Sequence, residues 1–380
     1  MNKTLRNLIP DNFLNECWQK KTLLIRQAIP DFVSPISADE LAGLSLEEDV
    51  ESRLILEKGK ASWELYYGPF TDETFRSLPE SHWTLLVQAV DHWVPEVHRL
   101  LEYFRFLPSW RLEDIMISYA ADGGNVGPHY DQFDVFLIQA DGKRRWMIGP
   151  IYDDQTSTVE NTPLHILSEF HILEDYVLEP GDMLYLPPGV GHYGVAEGEC
   201  MTISVGFRAP SHRDILMQFT DFVSDQLSES LRYSDADQRP VNTPGKIDEQ
   251  AIDRIQEVLR QYMEDRRLIA QWFGSAMTQT KYPQSEEETV EQWSELASEF
   301  SACNLRMNEG SRLAFYESCP SLIFVNGDCY PCKSEQLLDF AKKLSTNHYI
   351  HSKEWLGCND TECRRWLTAI VKGGAVYFEE

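Results

Sequence analysis

The sequence contains no apolar run approaching the length of a bilayer span, so no transmembrane helix is expected. Its opening stretch, Met1–Pro10, holds Lys3 and Arg6 but no apolar core long enough for a secretory signal, which predicts a cytoplasmic chain. Cysteine is sparse, 8 in 380 residues, too few for a dense disulfide framework; in the cytosol, free thiols are expected. Positive charge is scarce as well. Lys and Arg number 34 against 61 Asp and Glu, a net charge of −27 that repels phosphate backbones and favours a basic partner, besides aiding solubility. Repeats and low-complexity segments are also missing.

What is present is a hydrophobic fraction of 42% with 25% charged residues, the balance of a globular protein with a real core. A length of 380 residues predicts two or three units. The first runs over 1–210. Ser37-Ala-Asp-Glu40 fits a helix capping box. The apolar residues Leu85, Leu86, Ala89, Val90, Trp93, Val97, Leu100, Leu101 and Phe104 recur at helical spacing, which predicts a helix kinked at Pro95. From Ile115 the pattern changes to short β runs at Ile115–Tyr119, Val135–Gln139, Arg145–Ile148, Met183–Leu186 and Met201–Phe207, with Gly, Pro and Asp between them. Many short strands with turn signals predict a β-sandwich or barrel of the jelly-roll type.

Region two, 211–280, reads as amphipathic helices. Ile215, Leu216, Phe219, Phe222, Val223 and Leu227 share one face; Ile252, Ile255, Val258, Leu259, Tyr262 and Met263 share another. Such faces suit either dimerisation or packing back onto the barrel. Region three, 281–380, alternates helices and strands in an order resembling a winged helix, with Asn326-Gly327 as a type I′ hairpin signal. Between Gln279 and Glu380 there are 10 Lys+Arg against 16 Asp+Glu, so the basic stripe of a DNA-binding wing is missing. The overall class is α+β.

The chemistry concentrates in Gly127-Pro-His-Tyr-Asp131. On a strand, side chains two apart share a side, so His129 and Asp131 can converge on one ion while Tyr130 points away. Farther along, EPGDMLYLPPGVGH ends in His192. Two imidazoles and a carboxylate on one face make the facial triad of non-haem iron(II) oxygenases, which leaves positions open for an organic co-substrate and dioxygen. A lone His-X-Asp is common. The distal His, on a Gly/Pro-bounded turn before another β run, is what raises the pair above a surface coincidence, together with Gly123, Gly124 and Gly127 just upstream. Asp134, three residues past Asp131, should face the other way. A dicarboxylate co-substrate needs a fixed, fork-like cation, which Arg supplies better than Lys. In Gly142-Lys-Arg-Arg-Trp146, alternation sends only one of Arg144 and Arg145 into the barrel. Ser118, Thr202 and Ser204 are candidate hydroxyl donors.

At this point a resemblance is plain. Residues 107–210 are similar to a Jumonji C oxygenase domain, and the segments MISY, GGNVGPHYDQFDVFLIQADGKRRWMIG, LEPGDMLYLPPGVGHYG and MTISVGFRAP resemble the bacterial ribosomal oxygenases. That likeness implies a catalytic double-stranded β-helix (cupin-like), a helical dimerisation region and a winged-helix-like C-terminal domain. It implies Fe(2+) held by His129, Asp131 and His192, with Arg144 and Ser118 binding 2-oxoglutarate. The implied reaction spends O2 and 2-oxoglutarate, releases succinate and carbon dioxide, and hydroxylates an arginine of a large-subunit ribosomal protein at Cβ. The implied partners are that basic protein and a second copy of the chain, with no direct nucleic-acid contact and no membrane. An acidic rim, for which Asp122 and Asp134 are candidates, would steer a cationic substrate.

Three other readings carry less. Histidine hydroxylation or demethylation would keep the oxygenase with another protein substrate. A cupin-like metal isomerase would need neither dioxygen nor Arg144. A docking protein would have no use for the triad. Cys329, Cys332, Cys358 and Cys363 could in principle form a four-thiolate zinc site, but the separation of Cys358 and Cys363 on a helix aligns them poorly, which favours free thiols.

Overall fold

Short apolar runs punctuated by Gly, Pro and Asp become a 9-stranded antiparallel sheet system in the first part of the chain. Its strands are β1 (Leu23–Ile25), β2 (Ser52–Glu57), β3 (Trp63–Tyr67), β4 (Trp83–Val87), β5 (Leu112–Ala120), β6 (Val135–Ile151), β7 (Glu174–Leu178), β8 (Met183–Leu186) and β9 (Val190–Phe207). The structure is a computed structural model describing residues 9–59, 62–160, 162–282 and 293–379, and the chain divides into two units, Met1–Ala209 and Pro210–Glu380.

The expected runs at 135–139 and 145–148 are two halves of one strand. β6 and β9 pair along most of their length, with register irregularities between Gln139 and Lys143. Gly142 sits there at φ +60°, and a Cβ would fall 2.0 Å from the Glu199 carbonyl oxygen, so the bend tolerates no side chain. The bend gives the two halves of β6 different neighbours. Val135–Ile138 pair with β8, whereas Arg144–Ile148 pair with β7. Met201 to Phe207 of β9 pair with β5. This is the jelly-roll architecture that the strand pattern predicts, in the double-stranded β-helix form that the resemblance implies. One core lies between β5, β6, β8 and β9 and the N-terminal segments, where Phe13, Leu41, Phe104, Ile117, Phe136, Ile203 and Val205 are buried. A second lines the barrel, with Leu137, Trp146, Ile148, Leu184, Leu186 and Val190.

The helix expected over Leu85–Phe104 does not form as such. Leu85 and Leu86 belong to β4, pairing with β2 and β5. Ala89 turns left-handed at φ 51°, and only then come a 3-10 turn, a short helix at Pro95–His98 and more 3-10 helix to Phe104. Pro95 opens that short helix and does not kink a longer one. The physical reason is burial on both faces: Thr84 to Val87 are all buried, so the strand reads as a continuous apolar run that helical periodicity can mimic. The Ser37/Glu40 capping box is present, starting a helix over Ala38–Leu44.

Asp134 is a second correction. It is no rim residue: its side chain is fully buried, accepting from Arg111 Nη2 at 2.9 Å, Gln19 Nε2 at 2.9 Å and Tyr185 Oη at 2.6 Å. Arg111 also lies over the Trp18 ring at 5.3 Å. This carboxylate helps hold the N-terminal segment on the barrel, beside the pairing of β1 with β8 and the Arg26–Asp182 ion pair. Asp122 is exposed and caps the Gly198 amide at 2.8 Å.

In the second unit, helices at His212–Ser224, Glu249–Met263 and Arg266–Thr278 precede the C-terminal α/β part. The last of these packs on the strand Ser321–Val325: a Cβ on Gly274 would meet the Phe324 ring at 2.3 Å, and Thr278 Oγ1 accepts from the Gly327 amide at 3.2 Å. The Asn326-Gly327 hairpin joins that strand to Asp328–Cys332 as expected, both turn residues having positive φ. A second three-stranded sheet brings Asn304–Met307 between Tyr349–Ile350 and Val376–Glu379. The helices Glu335–Asn347 and Thr361–Lys372 bury Phe340, Leu344, Trp366 and Ile370 beneath these sheets. Cys332, Cys358 and Cys363 are buried as free thiols in that core, and among the described residues no four-thiolate cluster forms.

Removing the Asp134 carboxylate strands the Arg111 charge. Asp134→Ala is expected to lower unfolding free energy by roughly 3–5 kcal/mol, and Tyr185→Phe by about 1 kcal/mol. Urea titration of both variants measures this; equal, small losses would show that the network contributes little.

Candidate metal centre

The segment from Gly123 to Asp131 is not a regular strand. It meets β9 through main-chain bonds of Gly123 and Gly124 with Ala196 and through an isolated bridge, His129 to His192. That bridge is reciprocal: the His129 amide donates to the His192 carbonyl at 3.0 Å, and the His192 amide donates back at 2.8 Å. Asp131 is held by its own carbonyl, which accepts from the Gly189 amide at 2.7 Å. Expecting His129 and Asp131 on one side was sound geometry applied to the wrong element. Extended backbone in a loop, bonded to Ala196 and His192 of β9 and to Gly189 just before it, does what a strand would have done.

The upstream glycines have specific reasons. Gly127 takes φ +76°, and a Cβ there would lie 2.2 Å from Ile166 Cδ1. Its amide donates to Asn125 Oδ1 at 3.0 Å, which also accepts from Trp63 Nε1 at 3.1 Å. Asn125 Nδ2 donates in turn to Glu57 Oε2 at 2.6 Å and to the Gly123 carbonyl at 3.0 Å. Buried Asn125 thus organises the approach to His129. Sequence reasoning missed it, because an Asn beside glycines reads as an ordinary turn.

The side chains of His129, Asp131 and His192 each present a ligand atom within 4.8 Å of the others, and they form the one such group of metal-binding residues among the described residues. His192 Nε2 stands 3.6 Å from Asp131 Oδ2, and the two imidazole centroids are 4.3 Å apart. Both rings are anchored alike. His129 Nδ1 lies 2.9 Å from the Gly127 carbonyl and His192 Nδ1 lies 3.0 Å from the Val190 carbonyl. A carbonyl only accepts, so each Nδ1 carries the proton and each Nε2 presents a lone pair. Burial, then the neighbouring His129, holds His192 down to about 4, so its ring stays neutral at ordinary pH. Two neutral imidazoles and one carboxylate suit a divalent transition metal with open positions.

Arg144 is buried at 2% exposure, whereas Arg145 is exposed and pairs with Asp175 at 2.5 Å, the division that alternation predicts. Arg144 lies over the Trp146 ring at 5.1 Å, and Trp146 neighbours His192 at 5.9 Å between centroids. Arg144 Nη1 donates to Ser118 Oγ at 3.4 Å and Nη2 to the Gly194 carbonyl at 3.2 Å, while Nε has no partner. Ser118 donates to the Thr202 carbonyl at 3.4 Å, and Thr202 donates to Gln139 Oε1 at 3.2 Å. Ser204 follows on the same face of β9. Among the described residues no carboxylate pairs with Arg144, so its buried charge is left for an anion to neutralise.

Comparison with known proteins agrees with this geometry. Residues 99–215 match the JmjC domain family, and residues 261–377 match the ROXA-like winged helix. The Ribosomal protein uL16 3-hydroxylase of Escherichia coli (strain K12) is 40% identical over 276 residues, 72% of each chain. A Probable ribosomal oxygenase of Haemophilus influenzae is 34% identical over 289 residues, 73% of this chain and 70% of the relative. The solved structure of YcfD, a ribosomal oxygenase from Escherichia coli in complex with cobalt and 2-oxoglutarate, superposes with a TM-score of 0.85 at 34% identity, covering 97% of this chain and 98% of that one.

The depressed His192 sets a pH dependence for the metal-free protein. The unfolded ring, near 6.5, takes up a proton that the folded ring refuses until about 4. Stability conferred by the neutral ring is therefore full above 6.5 and lost as pH falls from 6.5 toward 4. Thermal midpoints of the apo protein across that window should fall, with a shallower slope in His192→Gln. Identical slopes would refute the assignment.

Proposed function

The chain belongs to the JmjC-domain ribosomal oxygenases, and from that membership we propose that it is an iron(II)- and 2-oxoglutarate-dependent hydroxylase of a large-subunit ribosomal protein, acting at Cβ of an arginine. The observation that carries this reading is the convergence of His129, Asp131 and His192 in the same barrel as a buried arginine with no carboxylate partner. In this reading the triad residues are the iron ligands, and Arg144 with Ser118 holds the far carboxylate of 2-oxoglutarate.

When bound, iron supplies the dioxygen activation and oxidative decarboxylation that hydroxylation requires. The chain's own residues do the rest. The Gly127 and Val190 carbonyls fix the tautomer of each ligand histidine, so no proton has to leave before a metal can bind. Arg144 offers its fork to a carboxylate at fixed distance from the triad, and Ser118 steadies the guanidinium. Trp146, Ile148, Leu186 and Val190 form an apolar wall that excludes water beside the site. A buried Arg144 also weighs against the cupin-like isomerase, which has no dicarboxylate to hold.

The excess of 61 acidic over 34 basic residues suits a cationic substrate protein and no nucleic acid. Among the described residues no helix is long and apolar enough to cross a membrane. The helix Glu249–Met263 buries none of its side chains, and Ile252, Ile255, Val258, Leu259 and Met263 are 45% to 53% exposed along one face. That stripe supports a homodimer formed through region two.

Incubating ribosomal proteins with the enzyme, iron(II), ascorbate and 2-oxoglutarate should add one oxygen to a single basic protein, placed on arginine by fragmentation. His192→Ala should abolish the gain. Oxygen on histidine, or loss of methyl groups, would reassign the substrate. No mass change and no succinate would return the isomerase and docking readings. For the assembly, sedimentation at micromolar concentration should show a dimer that Ile255→Asp converts to monomer; a wild-type monomer would sink that reading.

A further inference from the structure

Apart from Trp146, the Arg144 guanidinium is bordered by small residues. A Cβ on Gly194 would lie 2.7 Å from Arg144 Nε, so only glycine leaves the guanidinium its place. Ala196 pairs directly with Arg144 across the β6–β9 ladder, and Ala120 pairs with Cys200 across β5–β9. Ala120, Ala196 and Cys200 form one buried cluster, with Cys200 at 1% exposure. Gln139 and the Arg144 charge are close enough to the Cys200 thiol to oppose the upward push of burial on its pKa. Cys200, Thr202 and Ser204 follow at two-residue spacing along β9, and Ser118 stands opposite Thr202. A second, independent feature points to a ligand here: the buried Arg144 Nε has no partner and no carboxylate answers its charge.

We propose that Cys200 is the back wall of the pocket for the far carboxylate of the acidic co-substrate. In this arrangement its S–H faces the carboxylate oxygens that Arg144 holds, and its size sets the length of diacid that can seat. The inference rests on the reading of Arg144 given above and goes beyond it, since it makes Cys200 a specificity-determining residue. The chemistry is consistent with the position. Burial pushes the thiol up, opposed by the Arg144 charge, so the group beside the guanidinium is a neutral S–H and does not compete as an anion. A neutral, compact donor leaves Arg144 available for the ligand; a carboxylate at 200 would occupy it permanently.

The test is equilibrium binding without turnover, by calorimetry and thermal shift, of 2-oxoglutarate and its six-carbon homologue 2-oxoadipate to cobalt-loaded protein under anaerobic conditions. Cys200→Asp is expected to weaken 2-oxoglutarate binding by about 100-fold or more, because its own carboxylate takes Arg144, with cobalt binding unchanged. Cys200→Ala is expected to shift the ratio of affinities toward 2-oxoadipate by about 10-fold, one methylene's worth of space, and Cys200→Val to shift it the other way. Cys200→Ser should stay near wild type. A merely structural role would lower stability in these variants without changing the length preference. Unchanged affinity and unchanged preference in Ala and Val variants that bind cobalt normally would overturn the role of Cys200 while leaving the co-substrate reading intact. Failure of the wild type itself to bind 2-oxoglutarate would overturn both.

Discussion

The first unit depends on one reciprocal pair of backbone hydrogen bonds, between His129 and His192. It joins an irregular loop to the start of the longest strand at the point where three potential ligands must meet. Everything upstream of it is arranged to let the loop arrive: a left-handed glycine at 127, an Asn125 side chain bonded in four directions, and a tryptophan indole that fixes that side chain. Everything downstream, from Asp131 to Asp134, is clamped by the Gly189 amide and by the Arg111 pair. Because the pair is made by main chain, the imidazole rings remain free to present Nε2, and their Nδ1 protons go to local carbonyls.

Two buried charges in this unit show opposite solutions. Asp134 is fully satisfied by an arginine, an amide and a phenol, and it fastens the N-terminal segment to the sheet. Arg144 is as deeply buried but receives only a hydroxyl and a carbonyl, with burial pressing its pKa down from the usual arginine range. Desolvating a guanidinium without a counter-charge is costly, so a fold that keeps one has a reason beyond its own stability. A dicarboxylate seated between Arg144 and a metal would supply both the missing charge and the bridge to the triad. The groups that contact Arg144 all belong to the first unit.

Several features were legible in the sequence because they depend on local rules. Alternation along a strand separated Arg144 from Arg145, Asn326-Gly327 announced its hairpin, and Ser37 with Glu40 announced a helix start. The region around Leu85 was misread because a strand buried on both faces has no polar face to betray its period. Asp134 was misplaced because a carboxylate three residues from a candidate ligand looks exposed until Arg111, Gln19 and Tyr185, distant in sequence by 23, 115 and 51 residues, fold around it.

By itself, the sequence determined which residue types could meet a metal and a dicarboxylate, that the chain is strongly acidic, and that β structure would run between Ile115 and Phe207. Only tertiary structure decided that 129 and 131 lie on a clamped loop, that β6 bends at Gly142 so that its two halves take different neighbours, and that Asn125 and Cys200 stand at the site. The physical reason is that alternation, turns and caps are fixed by neighbours a few residues away. Convergence of a site is fixed by hydrogen bonds and burial between segments tens of residues apart, which no local pattern records.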